Sequence, residues 1–203
     1  MDKVFHLETP ISAEDVSSLK SGDRVSISGT VYTARDAAHR RLFELIEAGK
    51  ELPIPIDGQI IYYVGPSPAP PGRPIGAAGP TTSYRMDPFA PKLLELGLRG
   101  MIGKGKRSKE VRDAMIQYKG VYMAAIGGAG ALMARAIKAA RVVAYEELGP
   151  EAIRELTVEN LPAIVVNDTF GNDLYVEGRE KYQADSANPA VVATLAESAV
   201  AKL

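Results

Sequence analysis

From Arg24 to Asp168 the sequence alternates short apolar, β-branched runs with longer stretches whose apolar residues recur at helical spacing. The runs RVSISGTVYT, QIIYYVG, MIG, VYMAAIGG, RVVAYEEL and LPAIVVND have strand length, and the first sets Val25, Ile27 and Val31 at the even spacing of one strand face. RDAAHRRLFELIEAG, ending near Gly49, then DPFAPKLLELG, SKEVRDAMIQYKG, AGALMARAIKAA and PEAIRELTV predict helices, and PAVVATLAESAVAKL predicts a last one. Strands interleaved with helices bury their apolar faces as a sheet covered by helices, so the class is α/β. There is no internal repeat and no linker. A chain of 203 residues with 46% hydrophobic composition can build one core, which predicts one domain over residues 1–203.

One segment interrupts the alternation. Between Gly65 and Pro80 there are six prolines and four glycines in sixteen residues. Proline fixes φ and glycine admits positive φ, so this is a shaped loop, and it delivers Thr81, Thr82 and Arg85 of GPTTSYRM. A second polar cluster, SGTVYTARDAAHRR, sets Arg35 where a strand hands over to a helix. A cation at a helix start opposes the macrodipole and therefore wants an anionic partner, which a carboxylate held by two prongs would supply. Asp36 suits the first helical turn and can pair with Arg40 within the helix, and His39 lies one turn beyond Arg35 in a supporting position. Thr81 and Arg85, four apart, would face one cavity if a helical turn begins between them. Thr82 or Ser83 could serve as an ordinary cap there.

Several chemistries are excluded. Twenty-four Lys plus Arg nearly balance twenty-five Asp plus Glu, so no global field favours nucleic acid or an acidic membrane surface. No apolar run reaches membrane-spanning length and the first residues lack a signal-peptide core, which predicts a cytoplasmic chain. There is no cysteine and there are two histidines, so the chain alone offers no thiolate metal site, and no metal-ligating residues are assigned. GKGKRSKE is not a phosphate loop, because Gly97 and Gly103 enclose five residues and Gly105 follows Lys104. Ser108 reads as a helix cap with most of the basic run in solvent, whereas Lys104 falls at the C-terminal end of a strand, where α/β folds expose their sites. In GGAGAL a methionine, Met133, replaces the third glycine of a dinucleotide motif, which leaves close helix packing. NDTFGND reads as a turn with Gly171 at the bend.

SGTVYTARDAAHRRL, YYVGP, GPTTSYRMD, MIGKGKRS, GVYMAAIGGAGAL and VVNDTFGNDLY occur in the order found in class I iron-sulfur fumarate hydratases, and the chain resembles the C-terminal part of that family, or the separate β subunit of its two-subunit forms. L-tartrate dehydratase β subunits share the framework. The resemblance implies a swivelling β/β/α domain and a partner α subunit whose cysteines hold a 4Fe-4S cluster. This chain would then supply the base side of a hydro-lyase interconverting fumarate and (S)-malate, and the assembly would be a hetero-oligomer, with a homodimer open for the isolated chain. Carried over residue by residue, Arg35 and Arg85 would bind substrate carboxylates, Lys104 would add a cationic contact, and Thr81 would be the base, with His39 next in line. The alternatives are a tartrate dehydratase β subunit producing oxaloacetate, and a dicarboxylate-binding scaffold without chemistry.

Overall fold

The computed structural model describes residues 3–126 and 128–186. Strands β1 (Val4–Glu8), β2 (Arg24–Thr33), β3 (Ile60–Tyr62), β4 (Gly100–Gly103), β5 (Val121–Ala124), β6 (Ile137–Ala144) and β7 (Ile153–Asn167) form one seven-stranded sheet in the order β1-β2-β3-β4-β5-β7-β6. Because β7 also pairs with β2, strands β2, β3, β4, β5 and β7 close into a ring. The successive pairs from β1 to β5 are parallel and β7 runs antiparallel to β2, β5 and β6. Closure leaves the ring strands few free edges.

Two-residue periodicity divides the core. Ile60 and Tyr62 point into a cluster with Val25, Ile27, Val31, Met123 and Val165, while Ile61 and Tyr63 point into another. Helices α2 (Asp36–Glu47), α3 (Ala90–Glu95) and α4 (Lys109–Tyr118) close the second cluster through Leu42, Leu93 and Met115. The short α1 (Ala13–Ser17) and α5 (Gly130–Ala136) cover the first with Val16 and Met133, and α6 (Leu174–Ser186) follows β7. Ser108 caps α4 as its sequence suggests, its hydroxyl accepting from Val111 N at 3.4 Å.

The mixed α/β class is borne out, with two segments corrected. The alanine-rich helix stops at Ala136, and IKAA joins RVVA in β6, paired with β7. PEAIRELTV is not a helix: from Ile153 it forms the first half of β7, whose pairing with β2 on one edge and β6 on the other outweighs local helical preference. β1, α1 and α6 are additions to the sequence reading. The helix expected over PAVVATLAESAVAKL lies outside the described residues.

Candidate functional site

Parallel register decides which residues meet. Thr33 pairs with Tyr62, Tyr62 with Ile102 and Ile102 with Met123, so whatever follows these strands emerges on one edge of the sheet. After β2 comes Arg35, after β3 the proline-glycine loop, and after β4 Lys104. The loop returns so that Thr81 N donates to Tyr63 O at 2.8 Å, Lys104 N donates to Thr81 O at 3.3 Å and Ser83 N donates to Lys104 O at 2.9 Å. Thr82 and Lys104 therefore form a one-residue parallel bridge that sets Thr81 beside Lys104. The Thr81 hydroxyl donates to the Tyr63 carbonyl at 2.9 Å, which leaves its lone pairs turned elsewhere. Thr82 occupies the N-cap of the 3-10 turn Ser83–Met86 and makes no side-chain cap bond. At GGAGAL the close packing is real. Ala78 N donates to Gly130 O at 3.0 Å, and a Cβ on Gly130 would come within 3.0 Å of Gly79 N.

Arg35 is the N-cap residue of α2, and its anionic partner is Glu151, whose Oε1 lies 2.9 Å from Nη2. Nη1 lies against Gly65, where a Cβ would sit 2.6 Å from it, so only glycine leaves that guanidinium edge in place. Nε is buried and has no hydrogen-bond partner among the described residues. Asp36 is oriented across elements: its Oδ1 is 3.4 Å from Arg85 Nη1 and 3.8 Å from Arg35 Nη2, so it links the two guanidinium groups instead of serving only its own helix. Arg35, Asp36 and Arg85 thus form one group, and Thr81 and Lys104 another, joined through the Tyr63–Gly65 segment. The Lys104 side chain is exposed and Arg85 is 35% exposed, so the edge is open to an incoming chain or ligand.

His39 lies beneath this surface with no exposure, Nδ1 donating to the Arg35 carbonyl at 2.8 Å and the ring packed on Tyr63 and Phe89. It therefore steadies the start of α2 and is not placed to carry a proton to a ligand. Burial pushes its pKa from 6.5 to about 4, against the opposing pull of the Arg35 carbonyl. Between those values the unfolded chain takes up a proton at His39 that the folded chain refuses. Stability is therefore unaffected above pH 6.5 and falls as pH drops through this window, by about 3 kcal/mol once pH 4 is reached. Denaturant unfolding at stepped pH should show this slope in the native protein and lack that portion in His39→Gln. Equal slopes would mean that His39 titrates normally in the folded state.

The basic run departs from its solvent reading at Arg107. Its side chain is fully buried, Nε donates to Asp87 Oδ1 at 2.7 Å, and its guanidinium lies over the rings of Tyr63 and Tyr122. Tyr122 in turn donates to Gly105 O and shares a hydrogen bond with Ser83, so this buried cluster braces the two segments that carry Thr81 and Lys104. NDTFGND is a turn with Gly171 at φ +94°, organised by Asp168, which accepts from Ser21 N, Phe170 N, Asn172 N and Asn172 Nδ2. Glu151, Gly65 and the Arg107–Asp87 pair are site elements absent from the sequence reading. YYVGP and GKGKRS contain Gly65 and Arg107 without marking either as a site element, and nothing local signals Glu151.

The chain has no cysteine, and among the described residues no group of three or more His, Cys, Asp or Glu side chains could hold a metal ion. Its own residues do not fit an iron-sulfur cluster. No helix among the described residues is long and apolar enough to cross a membrane.

Residues 2–178 match the family described as Fumarase C-terminus. The chain is 46% identical over 154 residues to the class I, anaerobic fumarate hydratase of Escherichia coli strain K12, covering 75% of this chain and 28% of that protein. It is 42% identical over 168 residues to mitochondrial fumarate hydratase 1 of Leishmania major, covering 82% of this chain and 31% of that protein. The chain thus spans about a third or less of these relatives. A putative L(+)-tartrate dehydratase subunit beta of Methanocaldococcus jannaschii is 38% identical over 177 residues, covering 84% of this chain and 91% of that protein.

Proposed function

The chain belongs to the Fumarase C-terminus family, and on that premise we propose that it is the β subunit of a two-subunit hydro-lyase that reversibly hydrates fumarate to (S)-malate. The observation that carries this reading is the gathering of Arg35, Arg85, Lys104 and Thr81 on one open edge of the sheet. Three cations and a hydroxyl around a dianionic acid suit a reaction in which carboxylates are gripped and a carbon-bound proton is removed. Arg35 and Arg85 bind the carboxylates. In the dehydration direction the C3 proton passes to the Thr81 oxygen while the hydroxyl leaves C2 on the face supplied by the partner. The proton-accepting form of Thr81 is the alkoxide, which Arg85 and Lys104 stabilise together with the enolate-like charge that develops on the substrate. Asp36 and His39 support Arg35 and Arg85 without touching substrate.

The 4Fe-4S cluster belongs, in this proposal, to an α subunit, because this chain offers it no thiolate. The closed five-strand ring with helices against its second cluster supports the swivelling β/β/α class. One domain over residues 1–203 and a cytoplasmic hetero-oligomer as the working enzyme belong to the same proposal. The tartrate dehydratase β subunit is the second reading, favoured by the near-complete length match to the Methanocaldococcus jannaschii protein. Initial rates of the assembled enzyme on (S)-malate and L-tartrate separate them. Turnover of malate at least about tenfold above tartrate, a difference near 1.4 kcal/mol in transition-state binding, supports the first reading. Turnover of tartrate alone replaces it with the second.

A further inference from the structure

We infer that Glu151 is a positioning residue that aims Arg35 at the substrate carboxylate, an inference that rests on the carboxylate-gripping role of Arg35 proposed above. Glu151 ends the 3-10 segment Glu146–Glu151 between β6 and β7, far in sequence from the TARD segment. Its two oxygens do different work. Oε1 pairs with Arg35 Nη2 at 2.9 Å, and Oε2 accepts from Ala37 N, in the first turn of α2, at 3.1 Å.

This carboxylate answers a local conflict. Arg35 sits at the N-cap yet makes no side-chain cap bond, so the first-turn amides of α2 need another acceptor. Its guanidinium is also repelled by the positive end of the helix and, left alone, would swing outward. A carboxylate that takes Ala37 N with one oxygen and Nη2 with the other satisfies both groups at once. The Arg35 and Glu151 side chains are only 18% and 22% exposed, so their attraction is less screened than that of a surface pair. On its other side Arg35 is bounded by Gly65 next to Nη1. Glu151 and Gly65 therefore fix the guanidinium plane, with Nη1 left for an incoming carboxylate.

The test uses two substitutions of different reach. In Glu151→Gln the amide oxygen can still accept from Ala37 N, so the cap on α2 survives while the charge facing Arg35 is lost. Glu151→Ala removes both contacts. In the assembled enzyme with (S)-malate, both variants should raise KM about tenfold, the scale of one charge-assisted hydrogen bond, with kcat changed less than about threefold. Only Glu151→Ala should lower the melting temperature clearly. In an Arg35→Lys background Glu151→Gln should add almost nothing, because residues acting through one another are not additive. An unchanged KM in Glu151→Gln with a lowered melting temperature in Glu151→Ala would reduce Glu151 to a helix cap and overturn the inference, and a lowered KM would make it a competitor of the substrate. Wild-type kcat/KM in Arg35→Lys would instead remove the role of Arg35 itself, and this inference with it.

Discussion

Thr81→Val in the assembled enzyme is expected to lower kcat by about 10²- to 10⁴-fold, the span for removing a general base. Valine keeps the shape of the side chain and loses the oxygen. The main-chain bond from Thr81 N to Tyr63 O and the bond from Lys104 N to Thr81 O persist, so the loop should stay in place. The hydroxyl bond to Tyr63 O is lost, at a cost of about 1 kcal/mol of stability. Thr81→Ser, which restores the hydroxyl, should recover much of the rate. Thr82→Val is the control. Its hydroxyl makes no cap bond, so turnover and stability should both stay close to native. Exchange of the substrate C3 hydrogen with solvent reports proton removal directly and should fall with kcat in Thr81→Val. Normal exchange in that variant would move the base elsewhere, and not to His39, which is buried and tied to the Arg35 carbonyl.

Arg35→Lys is expected to cut kcat/KM by about 10- to 100-fold although the charge is kept, and most of the loss should appear in KM. Lysine has one compact ammonium where arginine has a planar fork. At this position a single nitrogen cannot reach Glu151 Oε1 and also present the Nη1 edge beside Gly65 to a substrate. Steady-state kinetics on (S)-malate decide the point. A native kcat/KM would make Arg35 a structural residue that only pins α2 to the 3-10 segment.

The parts of this architecture that were legible in the sequence are those whose signal is local. β2 carries alternating Val25, Ile27 and Val31, α4 has Ser108 at its start, and the proline-glycine composition marks the loop that brings Thr81 to the sheet edge. The first half of β7 was hidden because Ile153, Leu156 and Val158 fit either a helical turn or a strand, and the choice is made by partners such as Thr33 and Val142 on other strands. The same reason hid Glu151, whose contact with Ala37 crosses 114 positions. Arg107 was read as solvated because it stands among Lys104, Lys106 and Lys109. Its burial depends on Asp87 and on the rings of Tyr63, just after β3, and Tyr122, on β5. The strand-end positions of Arg35 and Lys104 and the loop that carries Thr81 and Arg85 were legible locally, whereas the carboxylates and rings that hold them come from long-range pairing.

The central claim is that this chain carries the carboxylate-gripping and proton-removing half of a site whose other half lies on a cluster-bearing partner. The most direct measurement compares hydration of fumarate by the purified chain alone with the same chain after anaerobic addition of the cluster-loaded α subunit. The expected result is no bound iron and no turnover for the chain alone, with turnover appearing when the partner is added. Hydratase turnover by the chain alone would contradict the account.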